Sequence, residues 1–292
     1  MIDFRELIKA GSHFGHQTSR WCPKMAPYIW GLKSKVHLID VSKTAFHLEK
    51  AAVFLGEIAA QNKQILWVGT KRPAQKIIED MAKKFDMPYV SHRWIGGTLS
   101  NYEQVKKSVT RLLHYEDVLV KAETHPYYTK KELNVFQKLV HRLEKSVGGI
   151  RTLKWPVGAI VLIDVGKEGA ALLEANAMGV PVVAMVDTNG DPTLVDYVIP
   201  ANDDAPRSIQ VIVDYLGAFV EKGKIEAAKK AAAAAEKARM LAAEKKASTD
   251  KDKPVSATAD KKVEVQKSSA VKKEVAVEKE VAVEETKDSI AN

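Results

Sequence analysis

The strongest constraint on the fold is a repeated pattern, in which a short, wholly apolar segment leads through a turn into apolar residues at helical spacing. The segment "QILWVGTKRPAQKIIEDMAKKF" (64–85) shows this pattern, and "GAIVLIDVGKEGAALLEANAMG" (158–179) repeats it. Three more short apolar segments, "MPYV", "VPVVAMV" and "DYVIP", read as strands. Apolar strands that alternate with helices are typical of a parallel sheet covered on both faces. The sequence therefore predicts an α/β protein with a doubly wound, three-layer sandwich.

A different pattern separates the two repeats. Apolar residues recur in steps of three and four on either side of the break "ETHPYYTKKE" (123–132), at Val105, Val109, Leu112, Leu133, Phe136, Val140, Leu143 and Val147. Such heptad spacing predicts an antiparallel coiled-coil hairpin, inserted over residues 103–149. Two ordinary core helices are the alternative, but outward positions rich in lysine and arginine favour an arm.

The last part of the chain has another composition. Residues 225–292 contain no glycine, tryptophan, phenylalanine or tyrosine and are dominated by alanine, lysine, glutamate and valine. This composition predicts a low-complexity tail that is helical at first and then disordered. We therefore expect an α/β domain over residues 1–224, interrupted by the arm, and a tail over residues 225–292.

The charge is unevenly distributed. Residues 1–155 carry 26 basic and 14 acidic side chains, whereas residues 156–224 carry 4 and 10. The basic N-terminal part predicts a polyanionic partner. The acidic segment 156–224 is expected to face a protein neighbour or solvent. The single cysteine, Cys22, and the lack of an apolar run near 20 residues predict a soluble protein of a reducing compartment with no membrane partner.

Basic residues in predicted loops and on the arm are the candidates for nucleic-acid binding. They lie beside aromatic residues, at the start of a helix, or on the outward face of the arm. Their guanidinium and ammonium groups can neutralise phosphates, and aromatic rings can stack on unpaired bases. The candidate residues are Arg20, Trp21, Lys24, Lys71, Arg72, Arg93, Lys106, Lys107 and Arg111.

Other functions have weaker support. The stretch "GSHFGHQTSRWCPKM" (11–25) holds His13, His16 and Cys22, but no second His/Cys pair follows at zinc-ligand spacing, so no metal or cofactor is predicted. The loop "GTKRP" (69–73) lacks the complete phosphate-binding pattern. A Rossmann-like nucleotide-binding enzyme and a metal-dependent hydrolase that uses His13 and His16 remain as alternatives to a non-enzymatic protein without a small-molecule substrate.

Several blocks of the sequence resemble a known family. "AGSHFGHQTSRWCPKMAPYIWG", "LIDVSKT", "ILWVGTKRPAQ", "RWIGGTLSN" and "PVVAMVDTNGDPTLVDYVIPANDDAPRSI" are similar, in order, to the signature blocks of bacterial small-subunit ribosomal protein S2. The similarity covers residues 1–222. The sequence departs from the family pattern at Cys22 and within residues 155–168.

The resemblance implies a flavodoxin-like sandwich with a coiled-coil protrusion. It also implies a structural, cytoplasmic, ribosome-bound role in translation, with small-subunit ribosomal RNA as partner at the junction of head and body. Family members also help to dock the mRNA-binding ribosomal protein S1. Nothing is carried over onto the tail.

Overall fold

The computed structural model describes residues 2–124 and 128–249. Residues Met1–Ala232 form one compact unit, which contains every strand of the described chain. The strands, in chain order, are β1 (Phe14–Gln17), β2 (Ile29–Lys33), β3 (Val36–Ile39), β4 (Gln64–Val68), β5 (Tyr89–Val90), β6 (Val157–Ile163), β7 (Val182–Val186) and β8 (Tyr197–Pro200). The helices are α1 (Phe4–Ala10), α2 (Val41–Ala60), α3 (Arg72–Lys84), α4 (Tyr102–Thr124), α5 (Lys130–Val147), α6 (Gly169–Ala177) and α7 (Pro206–Thr249).

The central sheet has five parallel strands in the order β5-β4-β6-β7-β8. These are the five segments that the sequence predicts as strands. Their side chains alternate between two separate cores, so that Trp67 faces one core and Leu66 the other. The first core lies against α2, α3 and α7, and the second lies against α4 and α6. The predicted parallel sheet with helices on both faces is confirmed.

A second, smaller sheet was not predicted. Strands β1, β3 and β2 form an antiparallel sheet in that order, with β3 in the middle. These strands are four or five residues long and only partly buried. Short, half-exposed strands carry a weak periodic signal, which is why the sequence predicts no strand over residues 14–39.

The predicted arm corresponds to α4 and α5. The hydroxyl of Tyr102 donates to the carbonyl of Leu153 at 2.5 Å, and the rings of Tyr115 and Phe136 stack with centroids 5.7 Å apart. These two pairings show that α4 and α5 run antiparallel. Val105 and other residues near the start of α4 are buried in the second core, so the base of the hairpin is part of the domain. Coiled-coil packing beyond the base stays a prediction.

Helix α7 extends through the Ala/Lys/Glu-rich segment as far as Thr249. The predicted disorder of the later tail lies outside the described residues, and the predicted domain limits stay predictions. Within residues 2–124 and 128–249, no helix is both long enough and apolar enough to cross a membrane.

Candidate functional site

The five parallel strands end at the same edge of the central sheet, and charged residues that follow four of them meet there. The Lys71 ammonium, after β4, lies 2.7 Å from Asp203, 2.6 Å from Asp204 and 3.3 Å from Asp164. Burial opposes the charge of Lys71, but hydrogen bonds to Asp203 and Asp204 outweigh it and raise its pKa above the ordinary range. Lys71 is a predicted RNA contact, yet its side chain is only 16% exposed and has three carboxylate partners. Its contact with RNA stays a prediction.

His16 reaches the same edge from the smaller sheet. Its Nδ1 lies 3.1 Å from Oδ2 of Asp187 and its Nε2 lies 3.2 Å from Oδ2 of Asp204. The Asp187 carboxylate outweighs the effect of burial and raises the pKa of His16. Burial, together with the charges of Asp164 and Asp187, raises the pKa of Asp203 to about 7 despite its contact with Lys71. The edge therefore holds more carboxylates than the nearby cations neutralise.

This group has the geometry of a possible cation site. His16, Asp187, Asp203 and Asp204 can each offer one ligand atom, and these atoms lie within 4.8 Å of one another. One imidazole nitrogen with carboxylate oxygens is a donor set that suits Zn²⁺ and other divalent cations. The sequence predicted no metal site and considered His13 and His16 together. Among the described residues, only His16 of these two histidines belongs to the group.

In the loop "GTKRP", both hydrogen-bond donors of Thr70 are occupied. The backbone N–H of Thr70 donates to Oε1 of Glu168 at 2.8 Å, and its hydroxyl donates to the same oxygen at 2.5 Å. Lys167 donates to the carbonyl of Thr70 at 2.9 Å. At Thr70, where a phosphate-binding loop would present a free N–H group, this loop is therefore held by a carboxylate of its own chain.

Residues 11–25 were predicted to form a binding loop, but they include the strand β1, and the predicted contacts Arg20, Trp21 and Lys24 follow it. The segment after β1 contains two short 3₁₀ helices, Thr18–Arg20 and Pro23–Tyr28. It is fixed to the loop after β7, because the N–H of Cys22 donates to the carbonyl of Thr188 at 2.7 Å. Trp21 is half-buried, with its ring 4.8 Å from that of His37. Lys24 is exposed and pairs with Asp191 at 2.6 Å. This contact with Lys24 lowers the pKa of Asp191 to about 2.

The loop before the arm is organised by a residue that the sequence analysis missed. Glu174, on α6, accepts hydrogen bonds from the Trp94 indole (2.9 Å), from the N–H groups of Gly97 (3.2 Å), Leu99 (2.8 Å) and Ser100 (2.9 Å), and from the Ser100 hydroxyl (3.0 Å). The Trp94 ring is buried and therefore anchors the loop instead of offering a stacking surface. In the sequence, Glu174 is one glutamate on a helix, and no local pattern marks it.

The remaining predicted cations are exposed to solvent. Within the described part of the chain they have no carboxylate partner at ion-pair distance: Arg20, Arg72, Arg93, Lys106, Lys107 and Arg111. Arg93 begins the loop held by Glu174, and the last three lie on α4. Their charge is therefore available to a partner, in contrast to that of Lys71.

Comparison with known proteins decides the family. A family model described as ribosomal protein S2 matches residues 7–223. The chain belongs to the ribosomal protein S2 family. The small ribosomal subunit protein uS2 of Hahella chejuensis is 46% identical over 212 residues, which cover 72% of this chain and 83% of that protein. The uS2 proteins of Saccharophagus degradans (43%, covering 72% and 85%) and Nitratiruptor sp. (42%, covering 77% and 84%) are similar in extent.

Membership of the ribosomal protein S2 family confirms the resemblance drawn from the sequence blocks. The family match contains both sheets and all nine predicted nucleic-acid-binding residues. Residues beyond 223, which include the whole Ala/Lys/Glu-rich tail, lie outside the family match. The roles of individual residues are not tested by this comparison and stay predictions.

Proposed function

We propose that the protein is a structural, non-enzymatic component of the small ribosomal subunit that binds ribosomal RNA where head meets body. Family membership carries this proposal, because the related proteins are named for the small subunit. We expect the protein to be ribosome-bound in the cytoplasm. Its central sheet would serve as a rigid support for the loops and the arm.

The exposed cations support RNA as the partner. Arg20, Arg72 and Arg93 sit at loops or at a helix start, and Lys106, Lys107 and Arg111 sit on α4. None of the six is neutralised by a carboxylate within the described residues. Contacts from such groups to phosphate position a protein on folded RNA without reading its sequence.

The smaller sheet offers a surface for a protein partner. Trp30 and Leu32, two residues apart on the edge strand β2, are 74% and 59% exposed. An exposed edge strand with large apolar side chains is suited to pairing with an extended segment of another protein. We propose that ribosomal protein S1 docks here.

The alternative of a nucleotide-binding enzyme has less support. Enzymes with doubly wound sheets bind nucleotides beside the carboxyl ends of the strands. Here that edge carries Asp164, Asp187, Asp203 and Asp204, and the loop at Thr70 is occupied by its own hydrogen bonds. A phosphate group would be repelled by these carboxylates.

Sucrose-gradient fractionation of cell extract at rising salt tests the proposed function. We expect the protein to sediment with the small subunit and to be released as salt neutralises the phosphate contacts. A peak of free protein at low salt would refute the proposal and would favour the enzyme.

Single substitutions test the RNA-binding residues. Arg20→Ala and Arg93→Ala should each weaken binding to small subunits stripped of this protein. Each should also lower the slope of log affinity against log salt, by about 0.7 to 0.9 for each phosphate contact removed. Arg207→Ala, an exposed arginine in the acidic segment, is the matched control and should change neither. An Arg20 or Arg93 variant that behaves like the control would remove that residue from the interface.

A further inference from the structure

A polar cleft lies at the base of the arm, apart from the carboxylate-rich edge of the sheet. Its volume is about 360 Å³, within the size range of small-ligand sites. It is lined by α3, by the residues that follow β5, and by the end of α5 with the short turn Gly148–Ile150. At one wall of the cleft, the turn packs very close to β5. A Cβ atom on Gly149 would lie 2.2 Å from the carbonyl oxygen of Tyr89.

Three side chains that can donate hydrogen bonds line the cleft. Among the described residues, His92, His141 and Lys145 make no hydrogen bond and no ion pair. His92 immediately precedes the exposed Arg93, and His141 and Lys145 are four residues apart on α5 and so lie on one side of that helix.

The other charged groups of the cleft are already engaged. Lys83 pairs with Glu79 at 2.6 Å. Arg151 forms two hydrogen bonds with Glu116, at 3.1 Å and 2.6 Å, and lies 3.9 Å from Glu144. These pairs fix the walls of the cleft, and the positive charge of Lys145 is left for a ligand.

We propose that this cleft receives one unpaired RNA nucleotide, with its phosphate on Lys145 and its base beside the two imidazole rings. This inference rests on the proposed function. A cation and flat rings around a polar cleft match the two parts of a nucleotide, because phosphate needs positive charge and a splayed-out base stacks on planar side chains. The cleft thus adds a nucleotide pocket to a surface that otherwise meets RNA through exposed cations.

Small subunits stripped of this protein provide the test, with full-length variants added back. Lys145→Gln should bind about tenfold more weakly, the loss expected for one charge-assisted contact. It should also lower the salt slope by about 0.7, the value for one phosphate of a single strand. Lys229→Gln, an exposed lysine on α7, is the matched control and should change neither quantity.

Ultraviolet crosslinking of the rebound subunits supplies an independent measurement. Mass spectrometry should find a nucleotide adduct on His92 or His141, and the adduct should be lost in the His92→Gln/His141→Gln variant. If the wild-type protein rebinds but Lys145→Gln matches the control and no adduct forms, the nucleotide pocket is refuted and the proposed function stands. If Lys145→Gln binds more weakly but the salt slope is unchanged and no adduct forms, the cleft contacts a neighbouring protein. That result would also refute the nucleotide pocket. Failure of the wild-type protein to rebind would refute the proposed function itself.

Discussion

Replacing Glu174 by alanine should destabilise the domain more than a partly exposed glutamate would suggest. Its carboxylate accepts hydrogen bonds from Trp94, Gly97, Leu99 and from both the N–H and the hydroxyl of Ser100. Trp94 and Leu99 are 8% and 1% exposed, so their N–H groups would be left buried without an acceptor. Gly97 and Ser100 lie nearer to the surface, and their donors can turn to water.

The two buried donors determine how much the free energy of unfolding falls in Glu174→Ala. A buried donor that loses its acceptor costs about 1–3 kcal/mol, so two give about 2–6 kcal/mol. Partial entry of water into the space left by the side chain favours the lower half of that range, about 3 kcal/mol. Glu174→Gln should cost roughly half as much, because the amide keeps one acceptor oxygen but loses the charge that strengthens the bonds.

Urea unfolding followed by tryptophan fluorescence measures the effect. With a slope of about 3 kcal/mol per molar, a loss of about 3 kcal/mol lowers the midpoint by about 1 M. Glu103→Ala is the matched control, since Glu103 is exposed on α4 and has no partner among the described residues. A Glu174→Ala midpoint equal to that of the control would refute the reasoning that the carboxylate holds the loop.

Three further predictions follow from contacts described above. Burial alone would raise the pKa of Glu174, but its hydrogen bonds outweigh burial and lower the pKa from its ordinary value of 4.5. The stability that the ionised carboxylate contributes is therefore complete above pH 4.5 and is lost as the pH falls through the pKa of the folded state. Urea melts from pH 6 to pH 3 should therefore show the wild-type advantage over Glu174→Gln shrinking, and a constant difference would contradict this. Lys71→Ala should cost about 3–5 kcal/mol, because it leaves buried carboxylates unpaired. Lys24→Ala should change stability little in the same melts, because the Lys24–Asp191 pair is exposed to water. An equal loss of stability in the two variants would contradict the view that Lys71 stabilises the fold through its buried carboxylate partners. Gly149→Ala should destabilise by about 1–3 kcal/mol through a clash with a backbone carbonyl, and Gly96→Ala, which meets nothing within 4 Å, should be close to neutral.

The sequence by itself determined the architecture of the central sheet. The segments that become β4 to β8 are apolar on both faces, and this pattern is typical of parallel strands that helices cover on both sides. The stripe at Val105, Val109 and Leu112 likewise marked the buried face of α4. Local patterns succeed for these elements because burial repeats with the period of the strand or helix.

Only the tertiary structure decided which polar groups meet. His16 and Asp187 are 171 positions apart, and Lys71 lies 132 positions from Asp203, yet both pairs are in contact. Lys71 meets Asp203 because parallel strands end at one edge of the central sheet, and His16 is brought to Asp187 by β1 of the smaller sheet. Glu174 holds a loop that lies more than seventy residues earlier in the chain. A periodic pattern reports whether a side chain is buried but carries no information about which distant group it faces. For that reason Lys71 looked like a free cation in the sequence, and the folded chain gives it three carboxylates.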